Sequence, residues 1–143
     1  MATTSMVHRT DSRLGSSVLR MLVVALTLAT AAIHASMGGL LFLANALVYV
    51  TLAVAMIVPG PIGQVRWLVR IALIGFAAAT IGGWLLLGAR FPLAYLDKGI
   101  EVSLITVVAF ELWRTDGGPI GAVRQARRLI VRLTGMQIAK GRR

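Results

Sequence analysis

The chain has 143 residues, 57% hydrophobic and only 14% charged, with mean hydropathy +0.82, against roughly 45–50% apolar and about 25% charged in soluble domains. That balance excludes an ordinary water-soluble fold and leaves length for one domain of membrane helices. The net charge of +10 sits at the two ends and in one loop, and the absence of cysteine removes disulfides, thiolate metal sites and a cysteine nucleophile.

Residues 1–17 are polar and small, with His8, Arg9, Asp11 and Arg13 and no helical stripe, and they read as a short cytoplasmic arm. The apolar run over about 18–37 is long enough to cross a hydrocarbon layer of roughly 30 Å and is the first predicted span. A secretory signal is the competing reading, with Ala29-Thr30-Ala31 as a small-residue cleavage site. The long arm before that site and the apolar run beyond it favour a span.

Gly38 and Gly39 permit a tight reversal into a second span, 40–58, which contains Asn45 and Tyr49. Pro59-Gly60-Pro61-Ile62-Gly63-Gln64 ends it, because proline cannot continue the backbone ladder. Arg66 and Arg70 flank Trp67 ahead of a third span, 68–87. Gly75, Ala79 and Gly83 recur there at four-residue spacing, a row that lets helix backbones approach closely in lipid.

A break at Gly88-Ala89-Arg90-Phe91-Pro92 precedes the fourth span, 93–113. Asp97, Glu101, Leu104, Val108 and Glu111 fall on one face of that helix, acidic at both ends. Bare carboxylates facing lipid are expensive, so the face is expected to look inward and to find partners on the other helices.

The predicted fold class is therefore all-α, a four-span transmembrane bundle over 18–113 with a C-terminal basic amphipathic helix. Three arginines up to Arg20, Arg66 and Arg70 in the loop, and eight Lys or Arg from Arg114 onward lie on one side. Only Arg90 and Lys98 lie near the other side, so the positive-inside rule puts both termini in the cytoplasm of a prokaryotic plasma membrane. Trp67 and Trp84 bracket the third span, and Tyr95 and Trp113 the fourth, each pair roughly 25 Å apart at about 1.5 Å per residue, as interfacial aromatics would be.

The tail, 114–143, is too charged to span. Arg124, Arg128 and Arg132 form one helical stripe with Arg127 beside it, which points to contact with anionic lipid headgroups. A solvated tail that only enforces topology is the plainer reading. Nucleic acid is not an expected partner, because no basic face is interleaved with aromatics.

This topology gathers His34, Asn45, Trp84, Arg90, Tyr95, Asp97, Lys98 and Glu101 at the outer end. Lys98 and Glu101 can pair at i, i+3, and either acid can reach Arg90 or His34 if the helices pack accordingly. The cluster is either a ligand or proton-handling site, with Glu101 and His34 as its centre, or an ion-paired knot that fixes helix register. Glu111 is expected to pair with Arg66, Arg70 or Arg114 at the cytoplasmic interface. No metal site and no cofactor are expected. His34 is the one histidine within a span, which rules out bis-histidine haem in a single chain and leaves a pigment held by one histidine as the outside reading. No nucleotide loop, zinc-protease pair or nucleophile elbow occurs, so no enzyme is expected.

Ile33-His34, Leu41-Phe42-Leu43-Ala44-Asn45-Ala46, Thr80-Ile81-Gly82-Gly83-Trp84 and Tyr95-Leu96-Asp97-Lys98-Gly99-Ile100-Glu101-Val102 together resemble a family of small, uncharacterised prokaryotic four-helix membrane proteins. Tyr-x-Asp-Lys-x-x-Glu is the most specific part, and the resemblance covers roughly residues 30–112. It implies the same architecture and the same polar residues, and no reaction. The functional expectation is a non-enzymatic accessory or scaffold subunit that packs against other membrane subunits or itself. A small-ligand or proton-coupled carrier, and a pigment- or haem-binding subunit through His34, are the alternatives.

Overall fold

The computed structural model describes residues 3–59 and 65–118 and, in the tail, positions 121, 124, 127, 128 and 131; side chains before residue 15 and that of Asp116 lie outside the description. Four helices run α1 Thr3–Met37, α2 Leu40–Ile57, α3 Arg66–Leu87 and α4 Pro92–Asp116, and the described residues contain no strand. Gly38 and Gly39 make the first turn with φ of 71° and 84°, backbone that residues with a Cβ rarely adopt. Pro92 opens α4, where its missing N–H has no helical partner to lose, and Gly117 closes it in the left-handed conformation.

The short turns make successive helices antiparallel. α1 packs on α2 and α4, α3 packs on α4, and the α2–α3 contact is the thinnest of the four. One end of the bundle therefore carries two turns, 38–39 and 88–91, and the opposite, terminal end carries the start of α1, the end of α4 and the facing ends of α2 and α3. The core runs between these ends through Val23, Tyr49, Met56, Leu73, Ala77, Leu104 and Val108.

Outside, large apolar side chains stand uncovered, with Leu86 83% and Leu87 92% exposed and Leu40, Leu43 and Leu47 also open. Gly15–Met37, Leu40–Ile57 and Arg66–Leu87 are each long and apolar enough to cross a membrane. Apolar exposure on this scale belongs in lipid rather than water. The chain is accordingly described as an all-helical membrane protein.

Three sequence expectations change. Helix α1 starts at Thr3, so the predicted arm is helical in its backbone, although His8, Arg9, Asp11 and Arg13 have side chains outside the description. Once a helix is nucleated each further residue adds a hydrogen bond, and no apolar stripe is needed to extend it. Trp67 is buried against Leu112 and is a core residue, not an interfacial anchor. The row Gly75, Ala79, Gly83 is exposed, and a methyl group placed on either glycine would meet no atom within 4 Å. No helix among the described residues packs there. The buried face of α3 is instead Trp67, Arg70, Leu73 and Ala77.

The predicted turn at Gly60–Gln64, Arg132 and most of the predicted amphipathic tail helix lie outside the described residues. Arg124, Arg127 and Arg128 are helical and exposed.

Candidate functional site

The inward face expected of α4 is realised in full. Asp97, Glu101, Leu104, Val108 and Glu111 are all completely buried, while Leu93, Leu96, Val102 and Phe110 on other faces of the helix are open. Two ionic groups result, one near each end of the bundle.

At the two-turn end the Lys98 ammonium lies 2.9 Å from Asp97 Oδ2 and 2.6 Å from Glu101 Oε2. Helix periodicity brings the three side chains to one side of α4, as i, i+1 and i+4. Facing helices supply the remaining partners. Thr30 of α1 donates to Asp97 Oδ1 at 2.6 Å, and Tyr49 of α2 and Thr80 of α3 donate to Glu101 Oε1 at 2.7 and 2.6 Å. His34 Nδ1 is 3.0 Å from the Thr30 carbonyl oxygen and 3.5 Å from Asp97 Oδ1, and Nε2 is 4.0 Å from Glu101 Oε1. All four helices thus contribute to one buried polar network. Where a carboxylate is stripped of water, charge-assisted bonds of this length are what make its burial tolerable.

Tyr49, Thr30 and Thr80 belong to this network and were not among the predicted site residues. A signal for them existed: Thr30 lies one turn before His34 on α1, and Tyr49 shares the α2 face of Ala46, Ala53 and Met56. Hydroxyls are common in membrane helices, however, and spacing within one helix does not say which neighbour they meet.

Three predicted members stand apart. The Arg90 guanidinium lies 4.2 Å from the centroid of the Trp84 ring and donates to the Leu85 carbonyl, and Tyr95 meets Trp84 edge-on at 5.1 Å. Arg90, Trp84 and Tyr95 form a separate, largely exposed group, because Arg90 sits in the turn and is drawn to the aromatic face and a helix-end carbonyl rather than to the acids. Asn45 lies near the network and makes no side-chain hydrogen bond among the described residues; it lines a cavity of about 460 Å³ together with His34, Asp97 and Lys98.

At the terminal end Arg70 donates to Glu111 Oε1 at 2.8 Å, both side chains being buried. The other expected partners go elsewhere. Arg66 reaches the Val58 carbonyl and Arg114 lies over the Phe110 ring.

His34, Asp97 and Glu101 each bring one donor atom within 4.8 Å of the others, the closest approach to a metal-ligand set among the described residues. Lys98 already neutralises both carboxylates at hydrogen-bond distance, so a cation would first have to displace an ammonium. Nor do Thr30, His34 and Asp97 make a nucleophile–base–orienter set. Thr30 and Asp97 approach the same ring nitrogen, Nδ1, and the threonine proton is directed at the carboxylate.

Compared with known proteins, the chain matches no family model, no curated protein and no solved structure.

Proposed function

We propose that this protein is a four-span integral protein of a prokaryotic plasma membrane, with both termini in the cytoplasm, acting as a non-enzymatic accessory or scaffold subunit. The observation that carries this is the self-contained character of the polar core. Asp97, Lys98, Glu101, Arg70 and Glu111 find their counter-charges within the chain, and the surface they leave behind is apolar. Helix α4 qualifies as the fourth span on the same ground: its acids are inside, so the face toward lipid is far more apolar than its composition.

Partner contact is assigned to α3, where Gly75 and Ala79 are open and permit close approach of another helix. Arg124, Arg127, Arg128 and Arg132 of the tail sit against anionic headgroups in this reading. Gentle detergent extraction from the native membrane, with mass spectrometry and an absorption spectrum of the same fraction, tests it. Stoichiometric partner subunits or a defined homo-oligomer without a chromophore are expected. A monodisperse, partner-free monomer would contradict the scaffold role, and a coloured fraction would turn attention to His34.

A second reading, a small-ligand binder or proton-coupled carrier, is favoured by one specific observation. The network does not end in packed side chains but borders the cavity lined by His34, Asn45, Asp97 and Lys98.

A further inference from the structure

The cavity at the two-turn end lies beside α2 and α3, whose contact is the thinnest of the four that hold the bundle together. It exists because Ala79 and Gly83 put almost no side chain on that side of α3. Its volume of about 460 Å³ is that of a pocket for a small molecule. Phe42, Phe76 and Leu87 supply apolar walls, and Asn45 and Lys98 bring polar groups into the lining.

Charge decides what kind of head fits. Asp97 and Glu101 against Lys98 leave one negative charge when His34 is neutral and none when it is protonated, so nothing there holds an anion. An ammonium head is disfavoured because it would meet the Lys98 ammonium. Asp97 Oδ1 accepts from Thr30, and Glu101 Oε1 and Oε2 from Tyr49, Thr80 and Lys98; Asp97 Oδ2 has no hydrogen-bond partner among the described residues, but the Lys98 ammonium stands 2.9 Å from it and already offsets its charge. Donors remain. The Lys98 ammonium carries three N–H groups and serves two carboxylates, and the Asn45 amide has no partner among the described residues. A polar group left unpaired in apolar surroundings is costly, and a ligand oxygen would relieve it.

We propose that this cavity binds a neutral, lipid-soluble molecule whose carbonyl or hydroxyl oxygen accepts hydrogen bonds from Asn45 and Lys98 while its apolar body lies between Phe42, Phe76 and Leu87. This rests on the ligand-binding reading and gives it a ligand class.

The full chain is reconstituted in phosphatidylcholine vesicles, photolysed with a diazirine-bearing octanol, floated, and its adducts mapped by mass spectrometry. Adducts concentrate on cavity residues, and excess unlabelled octanol competes with them in the unmodified chain. Asn45→Leu lowers this labelling about fivefold, the loss expected for one hydrogen bond. Gly83→Phe, which fills the cavity from a position with open space, abolishes it, and Gly75→Phe, outside the cavity, leaves it unchanged. Adducts that spread over lipid-facing side chains such as Leu47 and Val50 and resist competition would overturn the site. Equal labelling by a diazirine-bearing octane would overturn the polar head and assign the cavity to lipid chains. Failure of the protein to float with vesicles is a different result: it removes the membrane reading itself.

Discussion

The two buried ionic groups are built differently. Near the two-turn end, Glu101 accepts hydrogen bonds from Tyr49, Thr80 and Lys98, from three different helices including its own, and the network continues through Asp97 to Thr30 and His34. Near the terminal end, Glu111 meets Arg70 across one helix pair, its second oxygen has no hydrogen-bond partner among the described residues, and Trp67 packs on Leu112 alongside. The terminal pair clamps α3 to α4. The other network ties four helices together and stands beside a cavity. Burial alone, which is complete for both acids, does not separate a clamp from a site. The number of elements that converge and the space left beside them do.

Glu101→Ala tests this contrast most severely, because it strips an acceptor from two hydroxyls and an ammonium at once. Removing one partner of a buried ionic network costs about 3–5 kcal/mol, and this variant should fall at the upper end by thermal or denaturant unfolding in detergent. Lys98→Met added to it should recover little, since Asp97 would remain buried without its ammonium.

The terminal clamp should respond differently. Glu111→Leu alone leaves the Arg70 guanidinium buried without its acid and should cost about 3 kcal/mol, but Arg70→Met in the same chain should restore most of the loss, because apolar residues of similar volume commonly replace a buried pair. A double variant no more stable than Glu111→Leu would erase the distinction between the two ends.

The smallest effect is expected for Tyr49→Phe, which keeps the ring against His34 and Phe76 and removes one hydroxyl from Glu101. A hydrogen bond to a charged group contributes about 1.5–3 kcal/mol, and the loss in melting stability should lie within that range. No change at all would mean that Thr80 and Lys98 suffice to hold Glu101.

What was legible in the sequence follows from the same physics. Asp97, Glu101 and Glu111 were readable as inward-facing because a charge in an apolar helix has one tolerable direction and 3.6-residue periodicity fixes it. The Lys98–Glu101 and Arg70–Glu111 pairs were among the few geometries those acids allowed. Thr30 and Tyr49 stand at telling spacings on their own helices, but neither they nor Thr80 could be assigned to the acids, since a hydroxyl can satisfy itself on its own helix, as Thr27 does on the Val23 carbonyl, and only interhelical packing decides otherwise. Trp67 misled for a related reason: position near a span end is sequence information, but whether the ring faces lipid or Leu112 depends on rotation of the helix. The small-residue row promised a close helix contact, and the chain leaves it open. The cavity was not readable either: Ala79 and Gly83 were read as a contact row, and only the thin contact between α2 and α3 leaves open space beside them.

The network is a membrane-interior feature only where α4 crosses the bilayer with its acids inside. The absence of native cysteine makes this directly measurable with single-cysteine variants and a membrane-impermeant maleimide on intact cells. Four spans predict that Ala89→Cys, in the α3–α4 turn, is labelled from outside, whereas Thr4→Cys and Gly141→Cys react only after the membrane is opened. Labelling of Gly141→Cys from outside, with Thr4→Cys still protected, would mean three spans and would put Asp97, Lys98 and Glu101 on a helix that does not cross.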